Sequence, residues 1–215
     1  MGRFTNRAQA GRLLAEQLAE YRGRPDVIVL ALPRGGVPVA LEVADALDAP
    51  LDVLIVRKLG LPGQEELAIG ALASGGTRVL NEDLIGQIGL PADVIDRIVA
   101  RESAELERRE QAYREGRPAA DVTGRVVIVV DDGLATGATM LAAVETLRLR
   151  DPSRIVVAVP TAPRQTCANL ETRADGVVCL VQPDPFFAVG MSYADFSEIG
   201  DDEVRRLLSE NQAVR

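Results

Sequence analysis

The chain has 215 residues, 47% of them hydrophobic, and carries a formal net charge of −8. This suffices for one domain with a substantial core, argues against general attraction to nucleic acid, and requires that an anionic ligand meet a local positive site. Histidine is absent and there are two cysteines, which excludes histidine triads, imidazole bases, histidine metal ligands and a disulfide framework.

In chain order, the segment Met1–Arg7 lacks the apolar stretch of a secretory signal. No later apolar run approaches the roughly 18 residues that span a bilayer, so a cytoplasmic protein with no membrane partner is expected. Asn6 is placed to cap a helix over about Arg7–Tyr21, with Gln9 completing a capping-box pattern. That helix carries Ala10, Leu13, Leu14, Leu18 and Tyr21 on one face. Val27–Leu32, Leu51–Val56, Val126–Val130, Ile155–Val159 and Gly176–Val181 are short apolar runs rich in β-branched residues. Such runs suit strands buried on both faces of a parallel sheet. Helical patterns fall between them: Val37–Leu47 joins the first two, Ala138–Leu149 follows the third, and Pro163–Thr172 separates the last two. The fold class is α/β, a doubly wound and mainly parallel sheet flanked by helices.

A longer helix is expected over Asp93–Gly116, with Ile95, Ile98, Val99 and Leu106 as its apolar stripe. Its second half interleaves Arg101, Arg108, Arg109 and Arg114 with Glu102, Glu105, Glu107, Glu110 and Glu115, which reads as a solvated face laced with salt bridges. Cys167 and Cys179 read as structural, Cys179 as a buried small hydrophobe. A final helix starts near Asp201-Asp202-Glu203, acids that suit a helix N-terminus. No internal repeat or long linker divides residues 1–215.

The segment Val126–Met140 carries the strongest chemical signal. A buried strand ends in two acids, Asp131 and Asp132, and the loop Gly133-Leu134-Ala135-Thr136-Gly137 runs into a helix at Ala138-Thr139. Backbone N–H groups, threonine hydroxyls and a helix N-terminus can hold a phosphate dianion. Adjacent acids at the strand end can accept hydrogen bonds from vicinal hydroxyls. Phosphate at one end and a diol at the other describe a ribose 5-phosphate. An acidic turn would explain the glycines but not two acids at the end of a buried strand, which cost desolvation unless satisfied. Gly-Lys-Ser/Thr and G-x-G-x-x-G are both absent here.

This segment resembles the motif by which type I phosphoribosyltransferases bind 5-phosphoribosyl-1-pyrophosphate (PRPP). The resemblance implies that Asp131 and Asp132 hold the ribose hydroxyls, and that the loop from Gly133 through Leu134, Ala135, Thr136, Gly137 and Ala138 to Thr139 holds the 5-phosphate. Leu32-Pro33-Arg34-Gly35-Gly36 then resembles the pyrophosphate loop, with Arg34 as a fork of donors and Gly35 and Gly36 freeing backbone amides. Arg57 and Lys58, after the second strand, read either as further pyrophosphate contacts, Lys58 above all, or as surface charge. Gly60, Pro62 and Gly63 suit the family's mobile loop, with Gly70, Gly75 and Gly76 helping a return hairpin. Glu65 and Glu66 read as solvated, with a catalytic carboxylate as the alternative.

Four of the seven aromatic residues lie in Gln182–Phe196. The resemblance makes residues 182–200, with the terminal helix, a hood beside a core of about 22–181. Phe186, Phe187 and Val189 would meet the base; the alternative is that Phe186, Phe187 and Phe196 form a satellite core. Where enzymes acting on 6-oxopurines carry a further Asp, this chain has Ala135, which leaves the base open. The implied reaction displaces pyrophosphate from C1 of PRPP by a nitrogen nucleophile, a nucleobase being the expected one, with catalytic roles for Asp131, Asp132 and Arg34. Mg²⁺ would arrive with PRPP rather than in a protein cage, and a homodimer is compatible with the resemblance. The competing expectation is a PRPP- or nucleotide-sensing regulator on the same fold with little transferase activity.

Overall fold

A computed structural model of the chain describes residues 2–61 and 64–213. Five parallel strands form the central sheet: β1 (Val27–Ala31), β2 (Leu51–Val53), β6 (Val126–Val130), β7 (Arg154–Thr161) and β8 (Gly176–Val181), in the order β2-β1-β6-β7-β8. β1 and β6 are buried at every residue, as central strands of a covered parallel sheet should be. Alternate side chains serve opposite faces. Val27, Val29 and Ala31 of β1, with Val126, Ile128 and Val130 of β6, face α1 (Arg7–Gln17) and α2 (Gly36–Leu47). Ile28, Leu30, Val127 and Val129 face α5 (Ala138–Arg148) and α6 (Arg164–Glu171).

Several expectations are corrected. The apolar run Leu51–Val56 is not one strand. The chain leaves the parallel sheet after Val53, and β3 (Val56–Leu61) opens a separate antiparallel sheet with β4 (Gln64–Ala73) and β5 (Thr77–Leu80). The crossing is pinned where the Ile55 N–H donates to Ser74 Oγ and the Ser74 N–H donates to the Ile55 carbonyl. Leu54 and Ile55 stay buried throughout, so the run is continuous in hydrophobicity but not in pairing. β8 is half-exposed along its whole length because it is the sheet edge. Cys179 is therefore half-buried, its thiol donating to the Val181 carbonyl, whereas Cys167 is buried.

The third correction concerns α4 (Ala92–Arg114), which follows α3 (Glu82–Ile88). Its surface pairs are present, Arg108 and Arg109 both bonding Glu105. Glu102 and Arg114, however, are buried. They face inward, Glu102 to Arg57 on β3 and Arg114 to Asp52 on β2.

The Asn6 cap forms, accepting from the Gln9 N–H at 2.9 Å, but the Gln9 side chain reaches back to the Thr5 N–H rather than to Asn6. α1 stops at Gln17, and a 3₁₀ turn over Ala19–Tyr21 delivers Tyr21 to the core. Phe4, ahead of α1, pairs with Tyr193, so the amino-terminal segment and residues 189–199 form one layer. α7 (Asp201–Ala213) packs on α2 and α4. Among the described residues no helix is long and apolar enough to cross a membrane.

Candidate active site

The chain runs outward from β1 to β2 and later returns to β6 on the other side of β1. The loops after β1 and β6 therefore diverge from adjacent strand ends, which is where ligands enter open α/β sheets. The Leu32 N–H donates to the Val130 carbonyl and ties the two ends together.

The loop after β1 holds Arg34, Gly35 and Gly36, and the Pro33–Arg34 peptide is cis. A Cβ on Gly35 would collide with the Asp132 carboxylate, and one on Gly36 would lie 2.7 Å from the Val130 carbonyl oxygen. Glycine is thus required by close approach, and the two loops form one surface. Arg34 is exposed and donates to Glu198 at 2.7 Å.

The loop after β6 begins with the acids. Asp131 accepts from the Asp132 N–H at 2.8 Å. Burial and the neighbouring Asp132 charge push the Asp131 carboxyl well above the usual carboxylate range. Asp132 is raised too, by burial, against the opposing pull of Arg7, whose Nε donates to Asp132 Oδ2 at 2.8 Å. Two adjacent acids therefore lie near one guanidinium, which bonds Asp132, in a poorly hydrated place.

Beyond the acids, the Leu134 N–H is held by the Thr161 carbonyl and its side chain is buried. Ala135, Thr136, Ala138 and Thr139 are exposed. Gly137 caps α5 with φ of 75°, a left-handed conformation that favours glycine. Thr166 of α6 braces the loop by donating to the Ala135 carbonyl at 2.8 Å. Thr136 and Gly137 line a cavity of about 290 Å³ whose other wall is α6. A helix N-terminus, loop amides and the exposed residues Thr136 and Thr139 thus lie together, with the Ala138 N–H donating to Thr136 Oγ1 at 3.4 Å, an arrangement that suits a phosphate.

The hood candidates divide. Val189 lies against the acid loop, since a Cβ on Gly133 would come 2.5 Å from Val189 Cγ1. Phe186 is half-buried, and Phe187 is 79% exposed and so is not core. Lys58 lies on β3 opposite Ala71, within the antiparallel sheet rather than at a parallel strand end, and Arg57 is turned toward Glu102. Pro62 and Gly63 lie outside the described residues, as do the side chains of Glu65 and Glu66.

Three contacts at the site were not anticipated from sequence. Tyr193 donates to the Asp132 carbonyl at 2.5 Å, Glu198 pairs with Arg34, and Arg7 pairs with Asp132. One signal for Arg7 was present. It occupies the first turn of α1, which holds no acid, and a cation there opposes the helix dipole.

A profile of the phosphoribosyl transferase domain matches residues 3–195. The chain belongs to the phosphoribosyltransferase family. It is 49% identical over 201 residues to a Mycobacterium tuberculosis protein named "Putative phosphoribosyl transferase", covering 94% of this chain but 45% of that protein. The chain thus spans less than half the length of the curated relatives it matches first. It is 30% identical over 129 residues to the Chloroflexus aurantiacus bifunctional protein PyrR, covering 59% of this chain and 65% of that protein. Among solved structures, the protein TT1426 of Thermus thermophilus superposes with a TM-score of 0.88 at 45% identity, covering 97% of this chain and 98% of that one.

Proposed function

We propose that this phosphoribosyltransferase-family chain binds PRPP across the ends of β1 and β6 and transfers its 5-phosphoribosyl group to a nitrogen nucleophile, a nucleobase by preference, releasing pyrophosphate. The observation that carries the reading is the seating of Gly35 on the Asp132 carboxylate. It brings a donor loop suited to a leaving group against an acid pair suited to a diol.

In this reading Asp131 and Asp132 accept from the ribose hydroxyls, and Ala135–Thr139 with the α5 N-terminus hold the 5-phosphate. Arg34, Gly35 and Gly36 receive the pyrophosphate, and Val189 places the hood over the same loop. Anchoring the ribose at both ends aligns C1 for displacement. The acids then face the positive charge that develops on the sugar while Arg34 faces the negative charge on the leaving group. Among the described residues no group of three or more His, Cys, Asp or Glu could hold a metal. The adjacent carboxylates of Asp131 and Asp132 would suit a hard ion held mainly by substrate oxygens. Mg²⁺ brought with PRPP would neutralise pyrophosphate charge, while the chain's own residues position the sugar.

The test has two arms. Mg²⁺ with PRPP should raise the melting temperature, because a ligand that binds only the folded state stabilises it. Pyrophosphate release should then appear with one of a panel of bases. Binding without release from any base would favour the sensing role, and no binding at millimolar PRPP would remove the site assignment.

A further inference from the structure

We propose that Arg7, at the start of α1, is a positioning residue that holds the Asp132 carboxylate ready to receive the ribose diol. The inference rests on the reading of Asp132 as a ribose acceptor.

Arg7 is 8% exposed. Its Nε donates to Asp132 Oδ2 at 2.8 Å, and its Nη1 donates to the Ser197 carbonyl at 2.8 Å. Its guanidinium carbon lies 3.9 Å from the centre of the Phe196 ring, and that ring stacks on Tyr193 at 5.1 Å. Tyr193 in turn donates to the Asp132 backbone carbonyl. The contacts close a ring: Asp132 side chain, Arg7, Phe196, Tyr193, Asp132 backbone. Both the carboxylate and the peptide of one acid are thereby fixed by a layer built from the two ends of the sequence.

The arrangement is costly if Arg7 only staples α1 to the hood. A guanidinium at a helix N-terminus opposes the dipole, and a buried charge needs a partner. An apolar side chain against Phe196 and Tyr193 would hold the layer without either cost. The arginine is explained by what it does for Asp132. It supplies a counter-charge that favours the ionised acceptor form, and it engages one carboxylate oxygen in a set direction. The other charged and titratable groups at Asp132 are Asp131 beside it and the Tyr193 hydroxyl at its carbonyl. Arg34 is engaged by Glu198, which leaves Arg7 as the cation bonded to this acid.

A double-mutant cycle separates positioning from stapling. Mg-PRPP affinity is measured by calorimetry for the unmodified chain, Arg7→Gln, Asp132→Asn and the double variant, with circular dichroism as a check of folding. Arg7→Gln should weaken binding roughly ten- to hundredfold, the scale of one charge-assisted hydrogen bond. The double variant should bind no more weakly than Asp132→Asn, because Arg7 then has no acid to position. The acid limb of the binding–pH profile should move to higher pH in Arg7→Gln, since Asp132 stays buried but loses its counter-ion. Arg7→Lys should recover part of the affinity, and it substitutes for Arg7→Gln in the cycle should the latter not fold. Additive losses, or unchanged affinity in Arg7→Gln, overturn the role of Arg7 alone. Absence of binding by the unmodified chain overturns the ribose reading itself.

Discussion

Among the described residues, two clusters that contain buried charge, one around Arg114 and one at the end of β6, are balanced differently. Arg114 sits between its acids, donating to Asp52 at 3.1 Å, to Glu110 at 2.6 Å and to the Val53 carbonyl at 2.6 Å. Asp52 also receives the Ala120 N–H. Every group there has a partner within the chain, although Arg114 and Glu110 line a cavity of about 490 Å³ that shares no residue with the crevice. At the end of β6 the two acids adjoin each other, and of the two Arg7 bonds Asp132. Asp131 is left with burial and a like charge, and its carboxyl is raised accordingly. The first cluster is complete as structure. The second is short of positive charge, which suits the role proposed for it of receiving hydroxyl groups and facing a developing cation.

The sharpest way to break this contrast is Arg114→Ala. It should cost about 3 kcal/mol, because it removes a buried guanidinium and leaves half-buried Asp52 without its cation. Urea titration of the unliganded chain reads that loss, and a change under about 1 kcal/mol would show that the cluster does not hold the fold.

Next in size, Asp131→Asn combined with Asp132→Asn should lower Mg-PRPP affinity or kcat/KM roughly a hundredfold or more, since two charge-assisted hydrogen bonds are lost. The single variants should differ in stability. Asp132→Asn should destabilise, leaving Arg7 without its carboxylate. Asp131→Asn should stabilise at neutral pH. A carboxyl raised by folding binds its proton more tightly in the folded state, so its ionisation costs stability as pH rises above about 4. The gain from Asp131→Asn should therefore vanish at lower pH, grow as pH rises, and level off above the folded-state value. Melting curves across that range check the sign, and a gain confined to acid pH would contradict it.

The smallest effect is expected at the exposed Arg34–Glu198 pair. Glu198→Gln should release Arg34 and tighten pyrophosphate binding by up to about fivefold, the scale of a solvent-exposed ion pair. Calorimetry with pyrophosphate reads this directly. Weaker binding would mean that Glu198 orients Arg34 instead of competing for it.

Much of the core was legible in the sequence because burial on both faces leaves uninterrupted apolar runs. Val126–Val130 and Gly176–Val181 are strands with the bounds their composition suggests, and the Asn6 cap forms where its side chain predicts. The same logic misled at Leu51–Val56, where an apolar run marks burial but not which sheet receives it. It misled also on α4, where Arg114 and Glu102 belong to an alternating charged pattern that is solvated only in part. At the site, Asp131, Asp132, Gly35 and Gly36 could be named because their types are fixed by local chemistry: acids at a strand end, and backbone that must come close.

What the sequence by itself determined is the set of local devices: which runs become buried strands, where the acid pair and the loop proposed to hold phosphate stand, and where glycine is required. What only the tertiary structure decided is how distant segments meet. Asp132 and Arg7 are separated by 125 positions, and Arg34 and Glu198 by 164. No periodicity or spacing encodes such pairs, because a side chain's partner across the molecule is chosen by packing. That packing folds the amino-terminal segment against the hood and leaves the end of β6 with one arginine for two acids.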